Sequence, residues 1–268
     1  MHNEINSNFR QLEVLQTVSS IGQLQNDRLY RDRRGLFFIE GVRNFVEAVD
    51  HRYPLEALFY SEKLLTNPIA RKLVRRLKRR GVPFARVTPD QFRSVSKSER
   101  ASGIGAVLRQ RIMHLEQIRL DQHQCWTALS YVRSPGNLGS LVRTSAASGG
   151  SGFIFLGDSI DPFDPPLVRA TMGALFKQRL VRTTAKQLRS WVRDHNVQVI
   201  GASADGPLEY DKASYSRPVL LMLGGERKGL TQDQRSICHQ TVRIPMMDGM
   251  DSLNLAVAGS LLMYQAFR

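Results

Sequence analysis

Apolar residues along this chain arrive either as short continuous runs or at helical spacing, and the two patterns alternate almost from end to end. Phe9, Leu12, Leu15 and Val18 recur every three residues and mark a leading helix. Leu36-Phe37-Phe38-Ile39, closed by Glu40-Gly41, has the length and ending of a buried strand, and Phe45, Val46 and Val49 then share a helical face. Ala57-Leu58-Phe59-Tyr60 reads as a second strand. From Pro68 the spacing is helical again. Ile69, Leu73 and Leu77 form one face, with Arg71, Lys72, Arg75, Arg76, Lys78, Arg79 and Arg80 around it. Gly81 stops that helix, Pro83 opens a strand, and Gly103 to Leu108 is the last strand of a compact α/β domain of about 100 residues.

The pattern fades between residues 110 and 125, where RQRIMHLEQIRLDQHQ is polar and reads as a linker or a bridging helix. Alternation then resumes. Trp126 to Val132, Gly152 to Leu156, Val197 to Ala202 and Val219 to Leu223 read as strands; Leu138 to Ser148, Leu188 to Asp194 and Leu253 to Phe267 read as helices. This predicts a domain over 1–110, a linker over 111–125 and a second domain over 126–268. The second is built on a mostly parallel sheet with helices on both faces. In that architecture ligands sit in the loops at the carboxyl ends of the strands.

Charge adds a partner. The 268 residues carry a formal net charge of +14. Residues 1–110 hold 20 Lys and Arg against 11 Asp and Glu, a net of +9, so the smaller part is the more basic. Such a surplus suits a polyanion, because each phosphate neutralised releases condensed counterions. A basic surface kept for solubility and an anionic membrane surface are the other readings. Two cysteines, Cys125 and Cys238, make no disulfide framework, and neither has neighbours at metal-ligand spacing, so no metal is expected. The start MHNEINSNFRQLE lacks an apolar signal core and no run is long enough to span a bilayer, which predicts a cytoplasmic protein.

Three loops carry candidate chemistry. Ser134-Pro135-Gly136-Asn137-Leu138-Gly139 follows a strand and opens a helix, with Asn137 placed to cap it and Arg143 about two turns on, near the same face. Leu221-Met222-Leu223-Gly224-Gly225-Glu226 runs a buried strand into paired glycines. These free the backbone to bond a flat ligand such as adenine, yet match neither a dinucleotide fingerprint nor a phosphate loop. Ile244-Pro245-Met246-Met247-Asp248-Gly249-Met250-Asp251-Ser252-Leu253-Asn254 leaves a strand, wanders and enters a helix near Ser252. Taken singly, each is also an ordinary corner: a capped turn, a strand end, a helix start.

Taken in order, the three segments resemble the three motifs of the SpoU (TrmH-like) branch of the SPOUT RNA methyltransferases. Val168-Arg169-Ala170-Thr171-Met172-Gly173-Ala174 is similar to that family's stretch between the first two motifs, and Phe38-Ile39-Glu40-Gly41-Val42 to its N-terminal domain. The resemblance covers nearly the whole chain. It implies a C-terminal α/β trefoil-knot domain behind a smaller N-terminal α/β domain of the L30e type. It further implies a cytoplasmic homodimer that transfers a methyl group from S-adenosylmethionine to a ribose 2′-OH, with ribosomal RNA favoured over transfer RNA. Positions matching the family's cofactor loops are Leu223, Gly224, Gly225, Ile244, Met246 and Leu253. Arg143 matches its catalytic arginine; Asn137, Glu226, Ser252 and Asn254 match its other polar site positions. Where the family often has a His-Gln-Gly-like turn, this chain has Ala101-Ser102-Gly103. A base methyltransferase and a non-catalytic RNA-binding assembly factor are the competing readings, with a nicotinamide-dependent oxidoreductase last.

Overall fold

The computed structural model describes residues 16–267. Phe9, Leu12 and Leu15, read above as part of a leading helix, lie outside the described residues. The elements begin with α1 (16–26), α2 (Arg28–Arg34), β1 (Leu36–Glu40), α3 (Val42–Asp50), β2 (Leu55–Tyr60), α4 (Pro68–Arg79), β3 (Phe84–Arg86), α5 (Pro89–Val95) and β4 (Ile104–Arg109). They continue through β5 (Cys125–Leu129), α6 (Pro135–Ser148), β6 (Gly152–Leu156), α7 (Pro165–Ala170), β7 (Arg179–Thr183), α8 (Ala185–Asp194) and β8 (Gln198–Ala202). Last come β9 (Leu208–Glu209), β10 (Val219–Leu223), α9 (Gln232–Arg235), β11 (Gln240–Arg243) and α10 (Leu255–Phe267). The chain divides into two compact units. One takes Met1–Gln110 together with Phe163–Phe176; the other takes Arg111–Pro162 and Lys177–Arg268.

In the first unit a four-stranded sheet runs in the order β1-β4-β2-β3, with β4 antiparallel to both neighbours and β3 parallel to β2 at the edge. Successive residues of β1 point to opposite faces. Phe38 packs with Ile21 and Leu24 of α1 and Phe92 and Val95 of α5, while Phe37 turns the other way onto Phe163 (ring centroids 4.6 Å apart) and Tyr53. The short α5 escapes the apolar pattern, although Thr88 and Gln91 close a reciprocal capping box around Pro89. Helix α4 has Asn67 as N-cap and Pro68 in its first turn. Its buried face is Ala70, Leu73, Val74 and Leu77. Ile69, expected on that face, is 60% exposed because it lies one residue off the stripe.

The second unit is a seven-stranded sheet, order β7-β6-β5-β10-β8-β11-β9, with every pair parallel. β5, β6 and β10 are buried along their whole length, as expected for a sheet covered on both faces. The chain leaves β5 toward β6 and β7, then returns to place β10 beside β5. Leu223 pairs with Leu129, so both strands end level and their loops emerge side by side at the switch in strand order. Residues 111–125 are neither a free linker nor a bridging helix. Met113 bridges to Val181, a three-residue helical turn follows, and Leu115 and Ile118 enter the core around Trp126. Two apolar anchors outweigh the polar composition of the segment. Among the described residues no helix is long and apolar enough to cross a membrane.

Candidate active site

The loop after β5 is fixed by Ser134, whose Oγ accepts from the Asn137 amide and caps α6; Pro135 fills its first turn. Asn137 is therefore not the cap. It sits in the first turn with its side chain free for another task, and its Nδ2 donates to Glu226 Oε1 at 2.6 Å.

Glu226 owes its position to the loop after β10. Gly225 and Gly229 exchange two backbone hydrogen bonds of 3.0 Å each, pinching 225–229 into a tight lariat. Gly229 takes φ +60°, a left-handed conformation that costs glycine no steric penalty. A Cβ on Gly224 would fall inside the backbone of Gly229 and Leu230, so only glycine permits this pinch. The carboxylate then accepts from the Arg133 and Ser134 amides at 3.3 and 3.4 Å as well as from Asn137. One acidic side chain ties the first loop to the second.

The third loop joins through Asn254. Its Oδ1 accepts from the amides of Ala256 (2.8 Å) and Val257, so Asn254, not Ser252, caps α10, and the helix begins at Leu255. Its Nδ2 donates to Asn137 Oδ1 at 3.1 Å. Glu226, Asn137 and Asn254 thus form one hydrogen-bonded chain across three loops that are far apart in sequence.

Beside this chain lies a cleft of about 410 Å³. All six positions read as cofactor loops line it: Leu223, Gly224, Gly225, Ile244, Met246 and Leu253; Glu226 and Ser252 join them at its wall. Val242, Leu255, Ala258 and Leu262 add apolar surface. Apolar side chains beside glycine backbone at a strand end suit a nucleoside. The residues present therefore fit an adenosine-containing cofactor.

Asn137, Asn254 and Arg143 do not line the cleft. Arg143 is exposed on α6, and six residues of helix turn it about 120° away from Asn137 rather than onto the same face. It makes no hydrogen bond or ion pair among the described residues.

Residues that sequence reasoning passed over complete the rim. Arg235 donates to Ser203 Oγ at 2.7 Å and to both carboxylate oxygens of Asp205, at 2.8 and 3.0 Å. Ser203 also bonds Asp205, and these two partners hold the Asp205 carboxyl below the usual range, the hydroxyl having the larger effect. No local spacing announces a cluster joined across thirty positions. The two thiols lie elsewhere: burial pushes Cys125 up to about 12 and Cys238 up to about 11, so both are protonated at neutral pH.

Residues 126–264 match the SpoU rRNA Methylase family, and residues 16–106 match the MRM3-like substrate binding domain. The chain belongs to the SpoU rRNA methylase family. A 23S rRNA (uridine(2479)-2'-O)-methyltransferase of Streptomyces viridochromogenes is 30% identical over 91% of this chain and 87% of its own. An AdoMet-bound rRNA methyltransferase from Sinorhizobium meliloti superposes with a TM-score of 0.85 at 30% identity, covering 93% of each chain. The SpoU methyltransferase AviRb from Streptomyces viridochromogenes gives 0.84 at 28% identity, over 94% of this chain and 96% of that one. As a SpoU methylase this chain is an S-adenosylmethionine-dependent RNA methyltransferase. The SpoU-like stretch 168–174 falls in the first unit, where α7 ends at Ala170, Thr171 is fully buried, and Met172 turns left-handed with φ +51°.

Proposed function

We propose that this protein transfers a methyl group to a ribose 2′-OH of ribosomal RNA, acting as a homodimer in the cytoplasm. The observation that carries the reading is the convergence of three separated loops on one nucleoside-sized cleft through Glu226, Asn137 and Asn254. S-adenosylmethionine would supply an already activated methyl group and depart as the neutral thioether, with the hydroxyl proton passing to solvent, so the protein's task is alignment and charge. Leu223, Gly224, Gly225, Ile244, Met246 and Leu253 hold the cofactor. Glu226, Asn137 and Asn254 are positioning residues, since their polar atoms are engaged with one another. Ser252, exposed at the cleft, orients the ribose. Arg143, permanently cationic, clamps the phosphate beside the target and stabilises charge developing on the 2′-oxygen. The 2′-OH restricts the substrate to RNA. A trefoil knot in the second unit and the RNA-docking role of residues 1–110 belong to the same proposal.

What supports the dimer is a mismatch. Arg143 does not line its own chain's cleft, while α10 presents Val257, Leu261 and Tyr264 outward at 51%, 38% and 55% exposure. These three share a helical face. A second copy covering that face brings one protomer's arginine to the other's cleft.

Arg143→Ala is expected to abolish methyl transfer while cofactor affinity, read by calorimetry, stays at the wild-type value. Mixing Arg143→Ala chains with Gly224→Ala chains is expected to restore part of the activity, because mixed dimers hold one complete site. Loss of cofactor binding in Arg143→Ala, or no recovery on mixing, contradicts the reading.

A further inference from the structure

The most basic element of the protein has no assigned role. Helix α4 contains no acidic residue, and Lys72, Arg75, Arg76, Arg79 and Arg80 are exposed and form no ion pair among the described residues. An unpaired array of cations on one helix repels itself and is sustained by an anionic partner. Arg71, Arg75 and Lys78 lie along a common stripe that runs about 10 Å down the helix.

That stripe ends on an aromatic ring. Phe84 lies on β3, the sheet edge, and is 48% exposed. Lys78 Nζ stands 4.1 Å from the centre of its ring and donates to the hydroxyl of buried Tyr60 at 3.2 Å. Tyr60 thus holds Lys78, and Lys78 covers one side of Phe84. Two cavities meet at Lys78. One, of about 310 Å³, includes Tyr60, Arg71 and Arg75; the other, of about 1080 Å³, includes Phe84, Arg86 and Arg34.

We infer that the edge formed by α4 and β3 is a binding surface for single-stranded RNA, with Phe84 stacking on an unpaired base and Arg75, Lys78 and Arg79 neutralising the flanking phosphates. A helical stripe of cations beside a half-exposed ring is the chemistry of single-strand binding: charge follows the backbone and a ring accepts any base. A duplex keeps its base faces stacked internally and offers this ring nothing. A membrane surface is the poorer fit, because the exposed side of α4 is cationic without a broad apolar face. The inference rests on the reading that the first unit docks RNA, and it names the face that does so.

The test uses the full-length protein and fluorescence anisotropy with a short labelled oligouridine and an RNA duplex of matched length. Phe84→Ala is expected to weaken oligouridine binding about tenfold, equivalent to about 1.4 kcal/mol and the low end for one base-on-ring stack. Duplex affinity is expected to stay unchanged. Phe84→Tyr keeps the ring and should bind as the wild type, whereas Phe84→Leu keeps apolar bulk and should not, which separates stacking from folding damage. A double Arg75→Gln, Arg79→Gln variant should reduce the log–log salt slope by about 1.4, roughly 0.7 for each single-strand phosphate lost. Equal oligouridine affinity in Phe84→Ala or Phe84→Leu and wild type overturns the inference, as does an equal loss on the duplex. So does capture by phosphatidylglycerol vesicles with RNA binding untouched. Binding is read without methyl transfer, so an inactive enzyme that still needs Phe84 for oligouridine sinks the catalytic reading and leaves this one standing.

Discussion

Replacing Asn137 by aspartate tests the three-loop chain at its centre. The substitution is nearly isosteric, but it exchanges the Nδ2–H that donates to Glu226 at 2.6 Å for a second carboxylate oxygen. A hydrogen bond to a charged group is worth about 1.5–3 kcal/mol, and the half-buried setting places this one toward the lower figure. Two carboxylates in contact repel by about 1 kcal/mol in water and about 4 kcal/mol at an effective dielectric constant of 20, so about 1–2 kcal/mol applies here. Together the change costs about 3 kcal/mol of loop order, or roughly a hundredfold in methyl transfer. Asn137→Ala loses this bond and the neutral one accepted from Asn254, worth about 0.5 kcal/mol at its exposed end, but without the repulsion, and should fall only roughly thirtyfold. The two variants also differ in their response to pH. Contact between like charges favours protonation of the introduced carboxyl, which then donates to Glu226, so as pH falls from about 8 toward about 5.5 the Asn137→Asp activity relative to wild type should rise. Transfer of labelled methyl to rRNA measures all three proteins. If Asn137→Asp is no worse than Asn137→Ala, or its relative activity does not change with pH, the chain does not hold the loops.

Gly224→Ala should raise the cofactor Kd about tenfold to a hundredfold, read by calorimetry, because the new methyl displaces the Gly229 backbone; an unchanged Kd contradicts the packing. Neither cysteine should be alkylated quickly by iodoacetamide at a pH of about 8, since raised pKa values keep both thiols protonated, whereas both should react in denaturant. Asp205→Asn should lower the melting temperature. A depressed carboxyl contributes stability above its unfolded pKa and loses it as pH falls through the folded one. The gap between variant and wild type should therefore persist down to about pH 4 and close only below it. A gap that closes near neutrality excludes the Arg235 clamp as its source.

Much of the fold is legible in the sequence because its strands are continuous apolar runs and its longer helices are periodic. The runs Gly152 to Leu156 and Val219 to Leu223 coincide with the observed strands. The glycine pair at 224 and 225 signals a close backbone approach for a local reason, and what Gly224 approaches is the chain's own Gly229 and Leu230. What resists reading depends on partners distant in the chain. Residues 111–125 look polar until Leu115 and Ile118 find the core. Asn137 is placed like a cap and Asn254 like a residue inside a helix that starts near Ser252; the folded chain reverses the two, with Ser134 capping α6, Asn254 capping α10 and Asn137 freed for Glu226. The joining of Ser203 and Asp205 to Arg235 has no periodic signature at all.

The placement of Phe163–Phe176 bears on how such proteins can be taken apart. Phe163 packs on Phe37 and Phe176 on Tyr53, so the first unit takes part of its core from a stretch beyond β6. A polypeptide ending at Gln110 would lack these residues and leave Phe37 bare. The unit is therefore not a cassette that one crossover could lift out and graft onto another methylase. Exchange of first units within this architecture would have to carry two segments at once, or rebuild the face that receives the second.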